Sequence, residues 1–156
     1  MRIRIGFVLL TALAFVSCTS FTLSIGPGIQ PSTSADDVVA ISRAYLDQQT
    51  PELAGPELHI PPVITAVWAM HASDAALLDG CIPAGHGDRI VWVTKGRGDY
   101  LNLHDHTWSE SSSAGTDPRQ LLCTGPGPEG TIVIDDATGD ILGVYPESPG
   151  YPHPSP

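Results

Sequence analysis

The stretch TIVIDDATGDILGVY, Thr131 to Tyr145, sets two apolar runs on either side of an acidic bend. Ile132-Val133-Ile134 and Ile141-Leu142-Gly143-Val144 read as strands, rich in residues that fit a pleated surface. Between them, Asp136-Ala137-Thr138-Gly139 suits a type I turn with Asp at its first position. Gly139 supplies the positive φ of a short hairpin loop. Asp135 and Asp136 read as ordinary solvated carboxylates of that turn. A calcium loop needs more carboxylates at alternate positions and a distant bidentate Glu. Only Asp136, Thr138 and Asp140 alternate, so the bend reads as plain hairpin geometry.

The rest of the chain has the same punctuation. Its 16 glycines and 15 prolines favour short strands and ordered loops over long helices. One helix is expected, in SADDVVAISRAYLDQQTPEL. Ser34 with Asp37 three residues on fits a capping box, and Asp36 and Asp37 suit the positive end of the helix dipole. Val38, Ile41 and Tyr45 recur at helical spacing with Leu46 beside them, and Pro51 ends the pattern. VITAVWAMHA is a strand in which Ile64, Ala66, Trp68 and Met70 share one face and Val63, Thr65, Val67 and His71 the other. DRIVWVTK is a second strand, and a further short one is expected around Tyr100 to Leu103.

The N-terminus reads as an address. Arg2 and Arg4 precede an apolar run, Ile5 to Val16, too short to span a bilayer comfortably, and small residues follow. This predicts a signal peptide over 1–18. FVSC resembles the bacterial lipobox, with Phe15 where that pattern usually carries Leu, Val or Ile. The resemblance implies diacylation of Cys18, the new N-terminus, and paired acyl chains suffice for stable anchoring. Ordinary cleavage near Ser20 and free secretion is the alternative. With Cys18 lipidated, Cys81 and Cys123 remain as one pair, and export favours a disulfide between them. Closing a loop of roughly forty residues stabilises by about 4 kcal/mol. Residues 19–33 read as a flexible tether, 34–146 as a single domain, and 147–156 as a Pro-rich disordered tail.

The expected fold is α+β: one N-terminal amphipathic helix packed on an antiparallel sheet of about four strands ending in a β-hairpin. Helix ADDVVAISRAYL, strand RIVWVTK and hairpin GTIVIDDATGDILGVY together resemble the PepSY-like and cystatin-like group of small exported domains. The long loops between Cys81 and Cys123 depart from that pattern. The resemblance implies binding rather than catalysis, as a module of the cell envelope.

Chemistry-bearing residues are sparse. In LHDHTW, His104 and His106 point to one face of an extended segment with Asp105 between them, a set that suits zinc or copper. Arg97-Gly98-Asp99 in GRGDY matches the tripeptide that integrins recognise and reads as coincidence in a Gly-rich turn. No serine elbow or phosphate-binding loop is present, and no catalytic residue or other cofactor is assigned. The net charge is −10, and without Arg2 and Arg4 it becomes −12, which disfavours nucleic acid. The leading reading is an extracytoplasmic, lipid-anchored, non-enzymatic binding module. Its membrane contact runs through Cys18, and its partner is a peptide or envelope protein met on the open sheet face or an exposed edge. Trp68, Trp92, Trp108 and Tyr100 are the aromatics available to such a surface, Trp68 and Trp92 fitting the core better. The alternatives are an envelope metal-binding protein using His104 and His106, and a secreted hydrolase of unrecognised type.

Overall fold

The computed structural model describes residues 20–53, 60–79, 81–83, 88–100, 103–104 and 127–147. They form an α+β fold of one α-helix and a six-stranded sheet. In chain order the elements are β1 (Thr22–Ile25), α1 (Ala35–Leu53), β2 (Val63–His71), a 3-10 turn (Ala72–Leu77), β3 (Ile90–Tyr100), β4 (Leu103–His104), β5 (Gly127–Asp135) and β6 (Ile141–Glu147). The strand order is β1-β2-β3-β5-β6-β4.

Two expectations are corrected here. The helix is not N-terminal, because Thr22–Ile25, inside the stretch read as a tether, forms β1 and pairs parallel to β2. The sheet is therefore mixed, and it has six strands where about four antiparallel ones were expected. The Ser, Thr, Gly and Pro composition around β1 hid it: four residues are too few to show alternation above that background. A turn closes β1, with Gly28 at φ 76° and the Ile29 amide donating to Gly26 O at 3.1 Å. It brings Ile29 into the core and delivers the chain to the helix start.

That start is capped as its sequence predicts. The Asp37 amide donates to Ser34 Oγ at 3.2 Å, and the Ser34 hydroxyl donates to the Asp37 carboxylate at 2.6 Å. The buried stripe is Val38, Val39, Ser42 and Leu46, with Ile41 and Tyr45 on its flanks. The helix runs to Leu53, past Pro51. A proline forfeits its own N–H···O bond, yet the residues after it can remain helical.

Helix α1 covers one face of the sheet over Ile64, Val67, Ala69, Trp92, Ile132, Ile134 and Val144. The other face carries Val91, Val93, Val133, Leu142 and Tyr145, and is covered by Ala72, Ala75, Cys81 and Ile82. The sheet face expected to be open is thus covered along part of its length. Faces within β2 also differ from simple alternation. A bulge between Ile64 and Ala66 inserts Thr65, so Ile64 joins Val67 and Ala69 under the helix. Thr65 donates its hydroxyl to Lys95 O at 3.1 Å. Opposite the bulge stands Gly96, where a Cβ would strike the Val63 carbonyl oxygen.

Small residues let the layers approach. The Ser42 and Thr94 hydroxyls share a buried hydrogen bond of 2.9 Å between helix and sheet. The Tyr100 ring lies over Gly130, and the Tyr145 ring over Gly143. Each ring fills the space above a residue with no side chain of its own.

Candidate functional site

The hairpin turn is built from inside. Asp135 and Asp136, expected to be solvated, are 3% and 4% exposed. The Asp135 carboxylate accepts from the Ala137 amide at 2.7 Å, the Thr138 amide at 2.9 Å and Arg89 Nε. The Gly139 amide donates to Asp135 O at 2.9 Å, and Gly139 has φ 76° as expected. Asp135, not Asp136, is therefore the residue that organises the bend.

This frees Asp136 to turn inward. Its Oδ1 accepts from Trp92 Nε1 at 2.8 Å and from the Thr33 amide at 3.0 Å. Its Oδ2 accepts from the Ser32 amide and hydroxyl, both at 2.8 Å. Its own carbonyl accepts from the Thr33 hydroxyl at 2.7 Å, and the Ser32 hydroxyl, 2.9 Å away, shares its one proton between this carbonyl and Oδ2. Burial pushes the Asp136 carboxyl upward, but the donors from Ser32, Thr33 and Trp92 outweigh it and hold the carboxyl below its ordinary value. Both oxygens are occupied by protein donors, so this carboxylate acts as a clasp. It ties the lead-in of α1 to the hairpin and to Trp92, and leaves no oxygen for a cation or a substrate proton.

A second polar group lies on the opposite face. Asp79 Oδ1 accepts from the Cys81 amide at 2.9 Å, and its Oδ2 from the Thr131 hydroxyl at 3.3 Å. Burial first, and the Asp79 charge second, raise the Tyr145 phenol well above its usual range. Toward the end of β3 the cover on this face thins. Lys95 pairs with Glu147 at 2.5 Å, and Arg97 with Glu129 at 3.7 Å. The Arg97 and Glu129 side chains are 63% and 51% exposed. Cross-strand register places Arg97 opposite Glu129 and Glu129 opposite Glu147. The result is a basic pair on β3 facing an acidic pair on β5 and β6, with Arg97 and Glu129 open to solvent and able to meet a polar partner.

The residues singled out from sequence distribute unevenly. Cys81 is buried and disulfide-bonded. Its expected partner Cys123, and the expected lipidation site Cys18, lie outside the described residues. His104 sits on β4, opposite Gly143 of β6, while Asp105 and His106 lie outside the described residues. Among the described residues no three His, Cys, Asp or Glu side chains group as metal ligands. Arg97-Gly98-Asp99 is not a displayed turn but part of β3. Gly98 lies against Leu46, and the Asp99 carboxylate accepts from the Ile60 amide at 3.3 Å. Trp92 and Tyr100 are core, Trp68 packs partly buried on the second face, and Trp108 lies outside the described residues. Sequence reasoning missed the Asp136 clasp and the facing charges. The clasp left no local trace; the facing charges were visible only as Lys95 and Arg97 alternating in one strand.

Among the described residues no helix is long and apolar enough to cross a membrane. The chain matches no protein-family model, and comparisons with curated proteins and with solved structures likewise gave no significant match.

Proposed function

We propose that this chain is an exported, lipid-anchored, non-enzymatic module of the cell envelope that holds a peptide or an envelope protein. The observation that carries the binding half is the set of facing charges Lys95, Arg97, Glu129 and Glu147 on the partly uncovered sheet face. Rigid strands present both signs of charge at fixed spacing, which favours an extended polar segment over a small apolar ligand. The disulfide at Cys81 supports the exported half, because such bonds persist in oxidising compartments. The helix, central strand and final hairpin that carry the PepSY-like resemblance pack as one unit, in keeping with a binding role.

The test compares the wild type with Arg97→Ala/Glu129→Ala in capture from envelope extract. An exposed ion pair contributes about 0–1 kcal/mol, so the variant stays folded. A specific partner retained by the wild type and lost from the variant is the expected result. Equal retention rules out this face, and turnover of a substrate by the purified protein favours a hydrolase instead.

A further inference from the structure

The stretch between Cys18 and the helix leaves little room for a spacer. Phe21 packs against the core under the helix, and β1 begins at Thr22, in register with Ala66 of β2. At about 3.5 Å per extended residue, Thr22 lies within roughly 14 Å of Cys18, and Ile25 within roughly 25 Å. A lipid on Cys18 therefore holds this edge of the sheet against the bilayer surface.

The edge has the composition for it. Residues 5–35 contain no Asp, Glu, Lys or Arg, in a chain of net charge −10. The neighbouring stretch 60–70, which includes most of β2, contains none either. Of the five exposed large apolar side chains among the described residues, three stand here: Leu23 at 47%, Ile25 at 48% and Val63 at 45%. Leu23 and Ile25 are in register with Val67 and Ala69 and so share the helix face, while Val63, at the anchor end of the parallel pair, stands on the other face opposite Arg97. The charged strands β3, β5 and β6 lie on the other side of β2.

We propose that the β1 margin of the sheet rests edge-on at the membrane, with Leu23, Ile25 and Val63 in the boundary between headgroups and acyl chains. This rests on the reading of Cys18 as the lipid anchor. The partner is a lipid bilayer: an uncharged apolar edge meets anionic headgroups without repulsion, and the acidic remainder faces away from them. Arg97, the cross-strand partner of Val63, then stands nearest the headgroups, and Glu129 and Glu147 lie one and two strands farther away.

The test uses the full-length lipoprotein in vesicles containing an anionic lipid. Spin labels are placed one at a time through Leu23→Cys, Ile25→Cys and Val63→Cys, with Glu129→Cys as the aqueous reference. The ratio of oxygen to nickel-chelate accessibility is expected to be roughly five-fold higher at the three edge positions than at 129. Water-like ratios at all three positions, with Cys18 shown by mass to be diacylated, overturn this inference alone. Dipolar broadening between labels at position 25 means that two copies pair through β1, and overturns it as well. Protein recovered soluble with Cys18 unmodified overturns both this inference and the anchor on which it rests.

Discussion

Asp136 is the residue on which the most interactions converge. Replacing it with Ala leaves the Trp92 indole N–H and the Ser32 and Thr33 amides without protein acceptors. The Trp92 donor is buried and loses its acceptor outright, while the Ser32 and Thr33 amides can turn to water, so the cost is about 2 kcal/mol in urea unfolding. The pH dependence follows from the same bonds. The folded carboxyl titrates below the unfolded value of 3.8, so its stabilisation is complete above about pH 5 and is lost as pH falls through the depressed native value. Asp136→Asn removes that titration, and its stability is expected to decline less than the wild type's between pH 5 and pH 2. The sequence around Asp136 announces a bend and nothing more, since the groups that bind it come from β3 and from residues before the helix. The capping pair Ser34 and Asp37, by contrast, was legible, because both members of that interaction lie within one turn of chain.

At the scale of elements, local patterns carried the reading where contacts are local. The hairpin, the helix start and the central strand follow from spacing and turn chemistry. Bulges escape such a reading, because one inserted residue at Thr65 reassigns every face before it. Strand β1 escapes too, since only its pairing with β2, across the whole of α1, makes it a strand. The glycines beneath tyrosines offer an element-scale test. In Gly143→Ala the new methyl meets the Tyr145 ring, whose Cζ would lie 2.6 Å away. Overpacking of this kind costs about 2 kcal/mol. Removing the ring with Tyr145→Leu makes room, so the double variant is expected to fall short of the summed single losses by about 1 kcal/mol in a double-mutant cycle.

The whole molecule is a sheet gripped from two sides. Helix α1 lies on one face, and Ala72, Ala75, Cys81 and Ile82, fastened by the disulfide at Cys81, lie on the other. Reduction, or Cys81→Ser, is expected to lower unfolding stability by about 4 kcal/mol, measured in denaturant with and without reductant. Non-reducing peptide mapping is expected to recover Cys81 joined to Cys123, and free thiols at both positions would refute the pairing. The bond between Ser32 and Asp136 spans 104 positions of sequence. A chain delivered from its N-terminus, by the ribosome or through a translocation pore, cannot make that bond until the β5–β6 hairpin has emerged. The lead-in to α1 thus stays unfastened until a hairpin 104 positions behind it arrives.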